Sequence, residues 1–561
     1  MTEPAPAPEF GVLNEYVDAW GQPRRADPDT VRLLRAALGR DGRPPLRRPA
    51  TRVSTCHLPA ERQLWGWAAQ LYAVRSKRSW GIGDLADLRG LARWSRGLGA
   101  GFVQLNPLHA SSPCPPMQAS PYYPSSRRFR DPLYIAVEEV PGYRAAAAAI
   151  EPIARRTRRL NDQRLLDRDA VLAAKLEALE AAWASRAPSP VPDQAEYRRS
   201  AGPGLETYAT YCALAERHGA DWRRWPTSLR RPGVSAVARA ARDLQPRVAF
   251  HKWLQGVLDQ QLERASAELP PLCDLAIGAD PGGADAWIWA DELIPGFTVG
   301  APPDAMNLAG QNWGFPAFNP RSLAEKAFAP FRDTVRANLR HALGLRIDHV
   351  LGLFRLWLIP EGAAADQGAY VTFPAAPMLD ILAEESRAAR ALVVGEDLGT
   401  VQPEVRATLR SRRILAYRLL WFESIAPRRY PRMALSGVTT HDLPTVAGAW
   451  TGFDEKAMLA AGLQPNIGAN RAIVRRVSEM GGVDPGAPAS EAVLAAYRAV
   501  RRSPSRLLAA SLEDALVIPE RENIPGTIDQ WPNWSLALPG GLEGLRRSAS
   551  ARRLAAIMAQ R

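Results

Sequence analysis

The chain has 561 residues, of which 46% are hydrophobic and 8% aromatic, and its net charge is +13. This composition excludes disorder over most of the length, and one elaborated barrel of strands and helices fits the length as well as several small domains do. The amino terminus lacks the basic and apolar regions of a secretory signal, and no long apolar run follows. We therefore expect a cytoplasmic protein without a membrane partner.

The positive charge is carried almost entirely by arginines, which are spread along the chain rather than gathered into one stripe. Dispersed charge of this kind affects solubility and non-specific association, so we expect no nucleic-acid partner. A polyanion-binding patch stays open as the alternative. The cysteines match no metal-ligand spacing and are expected to be buried and reduced. They are Cys56, Cys114, Cys212 and Cys273.

Strand-like and helical segments alternate along most of the chain. The first 50 residues predict only a short helix at 29–38, between Pro- and Arg-rich stretches. From Gln63 onward the predicted strands are 67–72, 102–105, 272–277, 344–348, 392–396, 414–420 and 438–441, and the clearest helices are 84–98 and 375–390. This alternation is typical of a parallel sheet, either open or closed into a barrel.

The region from about 142 to 251 interrupts this alternation. It is almost wholly helical in pattern, rich in Ala, Arg and Glu, with a Pro-rich break at 188–192. We therefore predict an N-terminal extension at 1–55 and an α/β domain at 56–561, which is interrupted by a mostly helical insertion at about 142–251.

Three of the predicted strands end in acidic residues, and the first end is LGLRIDH, with Arg346, Asp348 and His349. Residues two apart in a strand point the same way, so Arg346 and Asp348 are expected to share a face. An arginine beside an aspartate lowers the pKa of the carboxyl and keeps it ionised. An ionised carboxylate is what a nucleophile requires.

The second acidic end is LVVGEDLG, in which Glu396 stands where a strand leaves the core. A glutamate in such a partly dry position tends to have a raised pKa, which suits proton donation. The separation from Asp348 exceeds a minimal strand-to-strand step. We interpret the extra sequence at 360–374 as a long active-site loop, so that the two acids remain neighbours.

The third acidic end is GVTTHDLPT, with His441 and Asp442 before a Pro-containing turn. Such a pair is suited to holding sugar hydroxyls and to opposing the positive charge of an oxocarbenium-like transition state. One acid after a strand is more often a helix N-cap than a catalyst. Three acids at the same end of barrel strands favour an active site, because barrel active sites lie there. A metal site using His349, His441 and the acids is the main rival, although these residues lack the spacing of an HExxH motif.

Longer segments around these motifs resemble one known family. They are YVDAWGQPR (16–24), WGIGDLADL (80–88), QLNPLHA (104–110), SPYYPSSRRFRDPLYI (120–135), ADPGGADAW (279–287), GQNWGFPAFNP (310–320), LRIDHVLGLFRLWLIP (345–360), VVGEDLGTV (393–401), TTHDLPT (439–445) and NIPGT (523–527). In this order they resemble the 4-α-glucanotransferase family, also called amylomaltases or disproportionating enzymes, which are relatives of the α-amylases. The resemblance covers nearly the whole chain.

The resemblance implies a (β/α)₈ TIM barrel and a retaining double displacement without a metal ion or an organic cofactor. Asp348 matches the nucleophile, Glu396 the acid/base and Asp442 the acid that stabilises the transition state. The other matched positions imply contacts that orient the nucleophile or hold the sugar. They are Arg346, His349, His441, Asp274, Tyr122 and Trp313.

The implied activity is transfer of an α-1,4-glucan segment from a maltooligosaccharide, starch or glycogen chain to the 4-hydroxyl of another glucan or of glucose. Two alternatives stay open. An α-glucan hydrolase of the same clan uses the same acids with water as the acceptor. A non-catalytic glucan- or RNA-binding protein is favoured by the basic charge, and the intact acidic trio argues against it.

Overall fold

The computed structural model describes residues 10–39, 53–59, 62–186, 192–304, 307–399 and 401–560. Parts of the predicted N-terminal extension (1–9 and 40–52) and most of the Pro-rich break (187–191) lie outside the described residues. Within the described ranges the strands, numbered in chain order, are β1 (Gly11–Val12), β2 (Glu15–Val17), β3 (Pro23–Arg25), β4 (Leu64–Ala69), β5 (Phe102–Leu105), β6 (His109–Ala110), β7 (Ser126–Arg130), β8 (Pro271–Leu275), β9 (Phe297–Ala301), β10 (Gln311–Phe315), β11 (Gly344–Ile347), β12 (Arg355–Pro360), β13 (Ala369–Thr372), β14 (Leu392–Gly395), β15 (Ala416–Leu419), β16 (Ala434–Gly437) and β17 (Leu507–Ser511).

The α-helices of the same ranges surround and extend the strands. They are α1 (Pro28–Leu38), α2 (Leu85–Gly97), α3 (Ala147–Arg158), α4 (Arg168–Ser185), α5 (Pro192–Ala201), α6 (Gly204–His218), α7 (Ser235–Asp243), α8 (Gln245–Ser266), α9 (Ala284–Ile288), α10 (Pro320–Glu325), α11 (Ala329–Leu339), α12 (Ala375–Ala389), α13 (Pro403–Ser411), α14 (Val446–Thr451), α15 (Phe453–Ala460), α16 (Ile467–Gly481), α17 (Ala489–Arg501), α18 (Leu512–Ala515), α19 (Gly541–Arg547) and α20 (Ala549–Ala559).

Eight parallel strands form a barrel at the centre of the fold. Around the barrel they follow the order β4, β5, β8, β11, β14, β15, β16, β17, and β17 pairs back onto β4. The gap between β14 and β15 is bridged by Val394 and Leu415, and the Gly395 amide donates to the Leu415 carbonyl at 2.8 Å. The predicted (β/α)₈ barrel is therefore confirmed.

The sequences of barrel strands are short apolar runs, because helices cover the outer face of each strand and side chains fill the interior of the barrel. All four residues of β14 are buried, as are all four of β11, although β11 contains an arginine. The helix before β5 begins where expected, because Asp84 accepts hydrogen bonds from the amides of Ala86 and Asp87 and so caps α2.

The predicted barrel strands differ from the structure at three points. The strand expected at 67–72 lies at Leu64–Ala69, and Leu71–Ala73 form a short 3₁₀ helix. The strand expected at 438–441 is the turn after β16, which ends at Gly437. The error arose because Val438 and the threonines after it have high strand propensity, whereas Ser436 and Gly437 have little. Strand β17 (LLAAS) was missed because leucine and alanine fit a helix better than a strand.

A second, antiparallel sheet lies beside the barrel in the order β1, β13, β12, β9, β10. It corrects the prediction that 360–374 is one long active-site loop, because β13 lies within this stretch and pairs with both β12 and β1. The stretch folds back as a strand because its AYVT segment is β-branched and aromatic. The described part of the N-terminal extension thus contributes strands as well as the predicted helix.

The region predicted as a helical insertion holds α3 to α7 and the start of α8. Helix α8 continues past residue 251 because it leads into β8 and packs against α2. All four cysteines are free; Cys114 is half-buried and the other three are buried. No helix in the described parts of the chain is both long and apolar enough to span a bilayer.

Candidate active site

The carboxyl ends of β11 and β14 bring two acids together. These strands are hydrogen-bonded in parallel, with Ile347 opposite Gly395. Asp348 and Glu396 are the next residues on each strand, and the Glu396 amide donates to the Ile347 carbonyl at 3.0 Å. The two predicted acids are therefore neighbours at the carboxyl end of the barrel.

Arg346 lies between two carboxylates beneath this pair. Its guanidinium is buried and donates to both oxygens of Asp274 on β8, each at 2.7 Å. The same group lies 3.1 Å from an oxygen of Asp348. The predicted alignment of Arg346 with Asp348 is present, and Asp274 is the stronger partner.

The expected effect of Arg346 on Asp348 is corrected by this arrangement. Burial raises the pKa of Asp348 to about 7, while Arg346 lowers it and the negative charges of Asp274 and Glu396 raise it further. The sequence suggested a lowered pKa because it revealed neither the burial of Asp348 nor the hydrogen bonds that one terminal nitrogen of Arg346 donates to Asp274. Ionisation of Asp348 therefore depends on the proton carried by its neighbour.

Glu396 is held by two backbone amides. One carboxylate oxygen accepts from the His349 amide at 2.9 Å, and the other accepts from the Leu398 amide at 2.7 Å. His349 presents its amide from a left-handed backbone conformation with φ of 45°, which is uncommon outside glycine. Burial raises the pKa of Glu396, although Arg346 and these two amides lower it. This raised pKa agrees with the direction expected from the sequence.

His441 and Asp442 form an ion pair in the turn after β16, with 3.2 Å between the imidazole Nε2 and a carboxylate oxygen. The second oxygen of Asp442 accepts from the Asn523 side chain at 2.7 Å. Burial raises the pKa of Asp442, but His441 and Asn523 outweigh it and lower the value to about 2. Because 46% of its side chain is exposed, this firmly ionised carboxylate is accessible from solvent.

Tyr122 connects the floor of the site to this turn. Its hydroxyl donates to Asp274 at 2.7 Å and lies 3.2 Å from Nδ1 of His441. The phenol ring also packs against His441 and Trp534, with centroid distances of 4.6 and 5.3 Å. These rings form one wall of the cleft.

Trp313 stands on the antiparallel sheet, on β10, rather than on the barrel. Its ring meets His349 edge-on, with 5.3 Å between centroids. Burial lowers the pKa of His349 to about 4, so its imidazole is neutral at physiological pH. All nine predicted site residues are thus linked by direct contacts or neighbouring strands, and seven of them come from the barrel strands or the turns that follow them.

Several residues of the site were not singled out from the sequence. Asn523 belongs to the NIPGT motif, but only the fold reveals that it contacts Asp442. Tyr417 lies under Arg346, with the guanidinium carbon 5.4 Å from its ring centroid. Glu513 and Glu522 line a small cavity of about 40 Å³ below Tyr122. No spacing rule joins these residues, because they come from separate strands and loops.

The rival prediction of a metal site requires several ligands that converge on one point. Among the residues that the structure describes, no group of three or more His, Cys, Asp or Glu side chains is placed to hold a metal ion. Asp274 and Asp348 instead share an arginine, and Asp442 is paired with a histidine and an asparagine.

Comparisons with known proteins identify the family to which the chain is similar. A family model described as 4-alpha-glucanotransferase matches residues 69–542. The chain is 44% identical to a 4-alpha-glucanotransferase of Mycobacterium bovis over 524 residues, which cover 86% of this chain and 72% of that protein. It is 32% identical to a 4-alpha-glucanotransferase of Haemophilus influenzae over 526 residues, with coverage of 84% and 75%.

Solved structures show the same likeness. The amylomaltase of Corynebacterium glutamicum is similar with a TM-score of 0.85 and 28% identity, and 98% of each chain is covered. An amylomaltase from Streptococcus agalactiae, solved in complex with acarbose, has a TM-score of 0.73 at 17% identity and covers 89% of this chain and 100% of that one. The latter likeness concerns the fold alone.

Replacing Asn523 tests whether the geometry of Asp442 matters. We expect Asn523→Ala to lower kcat for maltotriose by about tenfold, which corresponds to about 1.4 kcal/mol, because Asp442 loses one of its two side-chain partners. Steady-state kinetics and thermal unfolding of the same preparation measure the two effects. Asn466→Ala is the matched control, since it removes only the cap of α16 and should reduce stability by about 1 kcal/mol without reducing kcat. Full turnover in Asn523→Ala would show that Asp442 does not need this contact.

Proposed function

The chain belongs to the 4-alpha-glucanotransferase family, and from that premise we propose that Asp348 and Glu396 carry out a retaining double displacement on α-1,4-glucans. The observation that carries the proposal is the position of the two acids on adjacent strands, one beside an arginine and the other between two amides. Retaining enzymes need two carboxyl groups about 5–5.5 Å apart across one glycosidic bond.

In the first step Asp348 attacks the anomeric carbon, and the glycosidic bond breaks as Glu396 gives its proton to the leaving oxygen. Burial raises the pKa of both carboxyl groups, and the charge of Glu396 raises that of Asp348 further, which favours a pair that shares one proton. The productive form has that proton on Glu396 and the charge on Asp348. Arg346 favours this distribution because it contacts Asp348 directly.

In the second step Glu396, now ionised, takes the proton from the 4-hydroxyl of an acceptor sugar. The acceptor oxygen attacks the anomeric carbon and displaces the Asp348 carboxylate, which restores the enzyme. Two inversions at one carbon leave the α configuration unchanged. The two amides on Glu396 support both roles, because they hold the carboxyl in place whether or not it is protonated.

Asp442 is proposed to stabilise the positive charge that develops on the sugar ring. Its lowered pKa keeps it ionised throughout the reaction, and its partly exposed side chain leaves it accessible to a sugar. A fixed negative charge stabilises an oxocarbenium-like transition state more than the neutral ground state. His441 and Asn523 hold this carboxylate in place.

The remaining predicted residues are proposed to bind sugar on the two sides of the cleft. Tyr122 and His441 offer polar atoms at one wall, while Trp313 and His349 offer ring faces and edges at the other. Aromatic contacts contribute about 0.5–1.5 kcal/mol each. We propose maltooligosaccharides, starch or glycogen chains as donors, and glucose or another glucan as acceptor. The cytoplasmic location stays a prediction.

Transfer requires the acceptor sugar to compete with water. Water at about 55 M outnumbers a millimolar acceptor by roughly 10⁴, which corresponds to about 5.5 kcal/mol. The family favours transfer over the hydrolytic alternative, and sugar binding at the aromatic walls supplies part of this difference. The non-catalytic alternative rests on the basic charge of the chain alone, and the neighbouring positions of Asp348 and Glu396 support catalysis instead.

Maltotriose distinguishes transfer from hydrolysis. We expect incubation to give glucose and a ladder of longer maltooligosaccharides, which chromatography resolves. Glucose and maltose without a ladder would identify a hydrolase instead.

Asp348→Asn and Glu396→Gln should each reduce the rate by about 10³-fold or more. Glu385→Gln is the matched control, because Glu385 is a buried carboxylate paired with Arg332 and Arg336 away from the cleft.

The shared proton predicts a bell-shaped dependence of kcat/KM on pH. Activity should fall on the alkaline side as Glu396 loses the proton that its raised pKa retains, and on the acid side as Asp348 gains one. Initial rates on maltotriose from about pH 4 to about pH 10 give the profile. A rate that stays constant well above neutral pH would contradict Glu396 as the proton donor.

A further inference from the structure

We propose that Asp397 is a positioning residue for Glu396: its buried carboxylate fastens the turn that carries Glu396 to the neighbouring strand β15 and fixes the charge around it. The inference rests on the proposed acid/base role of Glu396. Asp397 is 1% exposed, so it has no surface with which to touch a substrate. Any influence on the reaction must therefore pass through its neighbour.

The side chain of Asp397 is saturated with donors from two different elements. One oxygen accepts from the Tyr417 amide at 2.8 Å and from the Arg418 guanidinium at 2.9 Å, both on β15. The other accepts from Arg418 at 3.0 Å and from Arg406 of α13 at 3.2 Å. Arg406 also donates to the Asp397 backbone carbonyl at 3.3 Å. The turn is thus tied to β15 on one side and to α13 on the other.

Asp397 lies next to the contact between β14 and β15, where the barrel closes with few hydrogen bonds between strands. The β14 and β15 strands meet through a bridge at Val394 and Leu415, whereas the other neighbouring barrel strands form longer ladders. Asp397 adds a side-chain link immediately beyond that bridge. Glu396 itself is held by the amide of His349, which follows β11, and by the amide of Leu398 in the same turn. Hydrogen bonds therefore hold the side chains of the two consecutive residues Glu396 and Asp397.

Charge gives Asp397 a second effect that a neutral anchor would lack. Its negative charge raises the pKa of Glu396, while Arg346 lowers it. Asp348 and Tyr417 are the other titratable groups that interact with Glu396. Around Asp397 the facing charges are Arg406 and Arg418, and Arg418 also lies 3.3 Å from Glu423.

Replacing Asp397 removes a negative charge near Glu396, and replacing Arg406 removes a positive one, so the two variants should shift the pKa of Glu396 in opposite directions. Asp397→Asn leaves two arginines with less opposing charge, so Glu396 should ionise more easily. We expect kcat on maltotriose to fall by about tenfold with little change in KM. The alkaline limb, which is the fall of kcat/KM at high pH, should move to lower pH by about 0.5–1 unit. Arg406→Gln removes one positive charge from a side chain that is 44% exposed. Its alkaline limb should move to higher pH.

A control variant and the direction of the pH shifts make the test decisive. Asp259→Asn is the matched control, because Asp259 is equally buried and bonded to Arg340, but lies on α8 outside the site; it should leave the limb unmoved. A lower kcat in Asp397→Asn with an unmoved limb, or limbs that move the same way in both variants, would overturn the proposal. If Asp397→Asn does not fold, the direction of the shift in Arg406→Gln decides. Failure of the proposed function is recognised separately, by Glu396→Gln retaining activity and its alkaline limb.

Discussion

Two carboxyl groups stand side by side because β11 and β14 are hydrogen-bonded neighbours in register. Ile347 lies opposite Gly395, so the next residue on each strand emerges at the same height above the barrel. A slip of one residue would turn one of the acids away from the cleft, since side chains alternate along a strand. The amide of Glu396 and the carbonyl of Ile347 add one more hydrogen bond at this point and continue the register past the end of the strands.

Electrostatics sets the second constraint, because four acids and one arginine occupy a partly buried site. Arg346 contacts both Asp274 and Asp348, and burial favours keeping one proton on the pair formed by Asp348 and Glu396. Asp442 escapes this coupling because it has its own histidine and a partly exposed surface. One site thus holds an acid that keeps a proton and another that stays ionised, which is the division of roles that glycoside chemistry needs.

The sequence predicted the positions of the acids better than their properties. Apolar runs that end in RID and GED mark strand ends, and barrel topology places strand ends together, so Asp348 and Glu396 followed from local pattern. The pKa of Asp348 did not, because it depends on burial and on Asp274, which shares its arginine from a strand 72 residues earlier in the chain. The roles of Asn523, Tyr417 and Asp397 were missed because their partners come from distant segments. The strand before His441 was misplaced because local propensity favoured Val438, whereas the ladder with β15 and β17 selects Ala434–Gly437.

Trapping the covalent intermediate tests the central claim most directly. An α-maltosyl fluoride donor needs no acid to release fluoride, so Glu396→Gln should still form the ester between the anomeric carbon and a carboxylate oxygen of Asp348, and should then lack the base that activates an acceptor. Mass spectrometry of the digested protein should find the added maltosyl mass on the peptide that contains Asp348. A sugar attached to a different acid, or a product of inverted configuration with no adduct, would contradict the account.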